Sequence, residues 1–293
     1  MNIKSSKLTL GTANFGTKYG MTNINGRLSD QAIKSILSES KSANINMIDT
    51  AQAYGDSEAR LGSFLDASQK VVTKIGIELE ENYHKNYLHN LVIGSMKRLN
   101  SSKIYGLLLH RPEVLFSRHG QEIISELNLL KEDGLVKKIG VSIYSPDILS
   151  KLLKLIELDI VQVPFNVFDQ RVLISGWNKR LKDNNTEIHI RSVFLQGLLL
   201  MNQNNLHNWF ELNWPELFKE WFEFQKQTNA SADEIALGFG MRQSWVDKIV
   251  VGVDNEQQLR RLIKIEKANK HDFDIKLSSN DVNLIDPFNW KIK

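Results

Sequence analysis

Short apolar runs alternate with longer amphipathic stretches along the whole chain. The apolar runs are nearly continuous, which is typical of parallel strands that are covered by helices. The stretches between them carry apolar residues at helical spacing, as in residues 32–37. We predict eight strands, at residues 8–10, 47–49, 71–74, 105–109, 138–141, 160–163, 189–193 and 248–251.

Cap and stop signals predict helices between these strands. Ser29 begins a helix over residues 29–42, and similar patterns predict helices over 87–99 and 121–130. Gly134 ends the last of these, and Pro146 lies in the first turn of the next helix. Eight strands separated by helices predict an α/β protein with a (β/α)8 TIM barrel, as a single domain over residues 1–293.

Two regions depart from this repeating unit. Residues 202–213 are rich in Asn without a clear period, and residues 214–227 form an aromatic-rich helical pattern. Together they predict an extra loop and helix after strand 7, near one mouth of the barrel, with the aromatic residues in the core. Residues 277–293 carry a helix cap signal at Ser278 or Ser279 and predict a C-terminal helical extension that folds back onto the barrel.

The composition narrows the class of protein. Lys and Arg exceed Asp and Glu by only three (37 against 34), and no basic block is present, so we expect no nucleic-acid partner. The chain has no Cys, which excludes disulfides and thiolate metal sites, and the His residues share no metal-ligand spacing. The N-terminus lacks a signal-peptide core and the most apolar stretch, 193–201, is short. We therefore expect a cytoplasmic protein without a metal or a membrane span; the sequence carries no signal for oligomeric state.

Proton-capable side chains lie at the carboxyl ends of three consecutive predicted strands. Asp49, Lys74 and His110 end the second, third and fourth strands, and Tyr54 follows in the loop after the second. The carboxyl ends of barrel strands form the active face, so these side chains are predicted to converge. Each alone fits a helix cap, a strand-end lysine, a loop aromatic or a turn residue, whereas their joint occurrence favours function.

This set of groups suits acid-assisted reduction of a carbonyl. A phenol has a pKa near 10, so it donates a proton poorly at neutral pH unless a cation stabilises the phenolate. Lys74 can supply that cation with Asp49 as its ion-pair partner, and His110 can orient the carbonyl oxygen or assist proton delivery. The hydride must come from another group.

With these residues in place, the sequence resembles the aldo-keto reductase superfamily over almost the whole chain. The resemblance rests on residues 10–16, 49–51 with 54–55, 73–74, 108–110, 140–142, 162–166, 286–287 and Trp290. It implies a barrel that binds NADPH without a Rossmann domain, and a catalytic tetrad of Asp49, Tyr54, Lys74 and His110.

The resemblance also implies the ligand contacts. Ser142 and Gln162 would bind the nicotinamide carboxamide, Phe194 would stack on the nicotinamide, and residues 195–198 would follow the pyrophosphate. The implied cofactor residues are Gly11, Thr12, Asp49, Ser142, Gln162, Phe194, Leu195, Gln196, Gly197, Leu198, Gly252, Val253 and Gln258. The substrate-binding residues predicted from loop positions are Phe15, Tyr19, Tyr54, His110, Arg111 and Asn166.

The sequence departs from the family pattern in two places. Ile143 replaces the usual Asn and would remove one carboxamide contact. The last loop, residues 252–259, lacks the Lys, Ser and Arg with which many members hold the 2′-phosphate of NADPH, and its Asp254 and Glu256 would repel that phosphate. NADH is therefore not excluded. The cations that could compensate are Arg260, Arg261 and Lys264.

A narrower similarity, in residues 15–21, 49–58 and 191–199 and in Asn166 with Asp169 and Arg171, is to aldo-keto reductases found with bacterial surface-polysaccharide biosynthesis. It implies a sugar or sugar-like carbonyl substrate. The main hypothesis is an NADP-dependent carbonyl reductase that acts on an aldehyde, ketone or sugar-like carbonyl, with Tyr54 as general acid. Two alternatives stay open: a cofactor-binding regulatory subunit with little catalysis, and a redox-neutral enzyme that retains its nicotinamide cofactor.

Overall fold

Eight parallel strands close into a barrel within residues 6–21, 23, 26–66, 68–78, 84, 86–268 and 273–292, the part of the chain that the computed structural model describes. Each strand pairs with the next, and the last pairs with the first. This closure confirms the predicted (β/α)8 barrel. The strands are β1 (Leu8–Gly11), β2 (Met47–Asp49), β3 (Lys70–Ile75), β4 (Ile104–Leu109), β5 (Val136–Ser142), β6 (Ile160–Pro164), β7 (Glu187–Arg191) and β8 (Lys248–Gly252).

Helices follow the strands around the outside of the barrel. The helices are α1 (Ala13–Gly16), α2 (Asp30–Ser42), α3 (Ser57–Gly62), α4 (Tyr87–Arg98), α5 (Gly120–Glu132), α6 (Leu149–Leu152), α7 (Arg171–Ile174), α8 (Trp177–Asp183), α9 (Asn208–Asn213), α10 (Pro215–Thr228), α11 (Ala232–Arg242), α12 (Glu256–Ala268) and α13 (Val282–Ile285). The 3-10 segments are Pro112–Phe116, Pro146–Ile148, Leu195–Leu200, Gln203–Asn205 and Pro287–Asn289. Ser29 caps α2 as predicted, since its Oγ accepts a hydrogen bond from the Ala32 amide at 3.2 Å. None of the described helices is long and apolar enough to cross a membrane.

Several predicted boundaries are wrong by one or two residues, such as the starts of β5 (Val136, predicted at 138) and β7 (Glu187, predicted at 189), and two errors concern the site and the C-terminal extension. Strand β7 ends at Arg191 and not at residue 193, because Ser192 has a left-handed backbone (φ +60°) that turns the chain out of the sheet. The C-terminal helix is capped by Asp281, whose Oδ1 accepts from the Asn283 amide at 2.9 Å, and not by Ser278 or Ser279. The extension does fold back, as its Trp290 ring lies 5.0 Å from Phe210 of α9.

A small apolar layer inside the barrel supports the site. Met47, Val72, Leu108 and Ile160 form their own buried cluster, separate from the main core between strands and helices. Successive strand residues alternate between faces, so the residue two positions later on each strand lies on the same face, nearer the carboxyl end. Those next positions are Asp49, Lys74, His110 and Gln162.

Candidate active site

A buried ion pair forms the floor of the candidate site. Lys74 Nζ lies 2.5 Å from Asp49 Oδ1, and both side chains are almost completely buried. The same ammonium donates to the Thr50 carbonyl at 3.1 Å and to the Tyr54 hydroxyl at 3.4 Å. Burial alone would lower the pKa of Lys74, but Asp49 and Tyr54 raise that pKa above its ordinary value. Lys74 is therefore a fixed cation beside the phenol oxygen.

His110 completes the predicted group of four. Its ring lies edge-on to the Tyr54 ring, with centroids 6.3 Å apart. Burial and the positive charges of Lys74 and Arg191 lower the pKa of His110 to about 4. At neutral pH it is an uncharged imidazole that can donate one hydrogen bond.

Gln162 of β6 orients the carboxylate. Its Nε2 donates to Asp49 Oδ2 at 2.6 Å, while its Oε1 accepts from Ser142 Oγ at 3.2 Å. Each oxygen of Asp49 thus has one partner, Lys74 or Gln162. This contact was not predicted from the sequence, which assigned Ser142 and Gln162 to the cofactor.

Two glycines place the loop that carries Tyr54. A Cβ at Gly16 would lie 1.8 Å from the Tyr54 carbonyl oxygen, and a Cβ at Gly55 would lie 2.6 Å from the Gly16 carbonyl oxygen. Gly55 also has a left-handed backbone, with φ +58°. Because neither contact leaves room for a side chain, α1 and the Tyr54 loop pack backbone against backbone.

A cavity of about 510 Å³ opens beside these groups and reaches from the carboxyl ends of β1, β2, β6, β7 and β8 to α11 and α12. Asn14 on its wall donates to the Val253 carbonyl at 2.7 Å and to Asp254 Oδ1 at 3.1 Å. Its own Oδ1 is buried without a hydrogen-bond partner among the described residues, so it can accept from a ligand. The cavity is lined by Gly11, Thr12, Ala13, Asn14, Tyr19, Gly20, Asp49, Tyr54, Gln162, Arg191, Ser192, Val193, Phe194, Gln196, Gly197, Leu200, Asp233, Val250, Val251, Gly252, Val253, Asp254, Asn255, Gln257, Gln258, Arg261 and Leu262.

The sequence places the chain in a known family. A sequence model of the aldo/keto reductase family matches residues 7–287. The chain belongs to this family. It is thus an oxidoreductase of a family that uses nicotinamide cofactors, which fits a cavity that reaches from the buried ion pair to α12.

Curated relatives of this aldo-keto reductase match along most of their length. The NADH-specific methylglyoxal reductase of Escherichia coli K12 is 26% identical, and the match covers 94% of this chain and 94% of that protein. The D-threo-aldose 1-dehydrogenase of a Pseudomonas species is 24% identical over 82% of this chain and 86% of its own length.

Solved structures show the same fold. The holo form of the aldo-keto reductase AKR11C1 from Bacillus halodurans has a TM-score of 0.71 at 19% identity, over 91% of both chains. The glycerol dehydrogenase AKR11B4 from Gluconobacter oxydans has a TM-score of 0.69 at 21% identity, over 90% of this chain and 88% of its own. At these identities the likeness concerns the fold alone.

The structure of this aldo-keto reductase brings most predicted ligand residues to the cavity wall, but not all. Ser142 and His110 do not line the cavity and instead contact two residues that do, Gln162 and Tyr54. Phe15 is fully buried in the core, and Arg111 is exposed away from the cavity wall. Asn166 is buried, and its Nδ2 donates to the Ser192 carbonyl at 3.0 Å. Leu195 and Leu198 pack into the core on either side of Gln196 and Gly197, which do line the cavity.

Three charged residues on the wall had no predicted role in binding a ligand. Arg191 ends β7, and the strand-end rule that selected Asp49 and Lys74 would have selected it too, had the strand been ended at 191. Asp233 lies in the first turn of α11, and Asp254 lies in the loop before α12. No sequence pattern marks Asp233, because a first-turn carboxylate is an ordinary helix-start residue. Among the described residues, no group of three or more potential metal ligands lies together.

Proposed function

We propose that this protein reduces an aldehyde, ketone or sugar-like carbonyl to an alcohol, with a nicotinamide cofactor and with Tyr54 as the general acid. The observation that carries the proposal is the buried Asp49–Lys74 pair, whose ammonium lies 3.4 Å from the Tyr54 hydroxyl on the cavity wall. The names of two relatives, for methylglyoxal and for an aldose, support a small carbonyl compound or sugar as substrate.

Each of the four side chains has a separate role in the proposed carbonyl reduction. The reduced nicotinamide, when bound, supplies a hydride to the carbonyl carbon. Tyr54 gives its hydroxyl proton to the carbonyl oxygen, and the adjacent Lys74 ammonium stabilises the phenolate that remains. Asp49 keeps Lys74 charged, and neutral His110 can donate a hydrogen bond to the same carbonyl oxygen. Solvent then returns the proton to Tyr54.

The resemblance implied NADPH, but the contacts around the cavity support NADH. Arg261 lines the cavity, yet its Nε donates to Asp233 Oδ2 at 2.9 Å and its Nη2 lies 3.1 Å from Glu234 Oε1. Arg260 lies 2.7 Å from both Glu39 and Glu256, and Lys264 is exposed outside the cavity wall. A 2′-phosphate bound to Arg261 would lie close to the carboxylates of Asp233 and Glu234 and would also face Asp254, and these negative charges oppose its binding. We therefore infer that NADH is the preferred cofactor, as the name of the Escherichia coli relative states for that protein.

Replacing Tyr54 tests the proposal. Because Tyr54→Phe removes the proton donor but keeps the ring, we expect kcat for methylglyoxal or butanal to fall by about 100-fold or more. NADH binding, measured by fluorescence titration, should stay unchanged. Tyr105→Phe is the matched control, since its hydroxyl contacts Glu187 at the first residue of β7, at the opposite end of the strands. Wild-type turnover in Tyr54→Phe would refute the role of Tyr54 as acid.

A further inference from the structure

One cation on the cavity wall has no carboxylate partner among the described residues. Arg191 lies half-buried at the end of β7 and lines the same cavity as Tyr54 and Asp49. Within the described residues no Asp or Glu oxygen lies within 4.0 Å of its guanidinium, whereas Arg261 on the same wall is paired with Asp233 and Glu234. The electrostatic role of Arg191 is therefore not explained by a structural ion pair.

Neutral groups hold the guanidinium in place. Its Nη2 donates to the Ile143 carbonyl at 3.1 Å and its Nη1 donates to Ser192 Oγ at 3.1 Å. Its Cζ lies 4.6 Å from the centroid of the Tyr144 ring, an attractive cation–π contact. These contacts fix the orientation of the guanidinium group but do not neutralise its charge.

The guanidinium belongs to the same cavity wall as Tyr54 and Asp49. Its charge helps to lower the pKa of His110, after burial and Lys74. An arginine has five N–H groups, and the two hydrogen bonds above use only part of them. The remaining donors suit a planar carboxylate or a phosphate oxygen, because a charge-assisted hydrogen bond is strong where water is partly excluded.

We propose that Arg191 binds an anionic group, a carboxylate or a phosphate, on the carbonyl substrate, and so selects acidic carbonyl compounds over neutral ones. This inference rests on the proposed function. It adds a specificity residue to the tetrad, with Arg191 holding the anion while Tyr54 and His110 act on the carbonyl oxygen.

Two pairs of matched substrates test this role. Succinic semialdehyde and butanal differ in a terminal carboxylate, and glyceraldehyde 3-phosphate and glyceraldehyde differ in a phosphate. We expect kcat/KM of the wild type with NADH to be at least about tenfold higher for the charged member of one pair. The pair that shows the preference identifies the anion.

Substitution of Arg191 then tests whether its side chain binds the substrate anion or only supports the fold. In Arg191→Gln we expect kcat/KM for the charged substrate to fall at least about tenfold, mainly through KM, with the neutral substrate changed less than about twofold. Arg191→Lys should retain part of the preference for the charged substrate, since it keeps the positive charge but loses the planar pair of N–H donors. Arg180→Gln is the control, because Arg180 is exposed on α8 and stacks on Trp177 away from the cavity.

The outcomes distinguish a failure of the Arg191 proposal from a failure of the proposed carbonyl reduction. Turnover of butanal and glyceraldehyde without preference for either charged partner would overturn the role of Arg191 alone. An equal loss for charged and neutral substrates in Arg191→Gln, or a loss confined to the KM for NADH, would also overturn it. No NADH or NADPH oxidation with any of these compounds would overturn the proposed function together with this inference.

Discussion

At the scale of single residues, burial and neighbouring charges set the protonation of the proposed catalytic groups. Asp49, Tyr54, Lys74 and His110 could be selected because each lies at or just after a strand end, where barrel topology brings side chains together. Their protonation depends on burial and on contacts between strands far apart in sequence. The pKa of His110, lowered by burial and by Lys74 and Arg191, is such a property.

The state of His110 can be measured directly. Its pKa is lowered from 6.5 to about 4, so the imidazole is neutral across the neutral pH range and becomes protonated only as the pH falls through about 4. We expect an NMR titration of His110 with a midpoint near pH 4. Lys74→Met should raise the midpoint by removing a nearby positive charge, while Lys219→Met, an exposed change on α10, should leave it unchanged. A midpoint near 6.5 in the wild type would contradict this electrostatic description of the site.

At the scale of elements, periodicity and caps predicted the strands and the principal helices, but not where the chain leaves the sheet. The end of β7 was missed because the apolar residue Val193 continues the strand pattern, whereas the left-handed backbone at Ser192 ends it. The same two-residue error hid Arg191 as a strand-end residue. The Asp49–Gln162 contact joins β2 to β6 across the barrel, and no local pattern predicts it.

The packing of α1 on the Tyr54 loop gives a prediction about an element. In Gly16→Ala the new Cβ would meet the Tyr54 carbonyl oxygen at 1.8 Å, so the loop must move. Since a displacement of about 1 Å can cost on the order of 100-fold in rate, we expect a large fall in kcat. Gly76→Ala is the control, because a Cβ at Gly76 would meet no heavy atom within 4 Å beyond its chain neighbours. Equal kcat values for the two variants would show that the loop does not depend on this contact.

At the scale of the whole molecule, the cavity lies between strands from the beginning of the sequence and strands and helices from its later part. It is walled by β1 and β2 on one side and by β6, β7, β8, α11 and α12 on the other. A ligand bound there contacts elements that are distant in sequence, so its binding free energy adds to the stability of the folded barrel. The strand pattern predicted this architecture, while the charges on the wall, which bear on the choice of cofactor, depend on how α11 and α12 pack together.

Thermal unfolding therefore reports cofactor preference. A ligand present at about 100 times its Kd stabilises the folded state by about 2.7 kcal/mol, which corresponds to a rise in Tm of roughly 4–5 °C for a chain of 293 residues. We expect NADH to produce such a rise and NADPH, at the same concentration, a smaller one, because Asp254 and the carboxylates paired with Arg261 oppose a 2′-phosphate. Asp254→Asn should narrow the difference by improving the response to NADPH, while Asp183→Asn, at the end of α8 and outside the cavity wall, should not. A larger Tm rise with NADPH in the wild type would mean that the 2′-phosphate binds despite these carboxylates, and the preference for NADH would then be wrong.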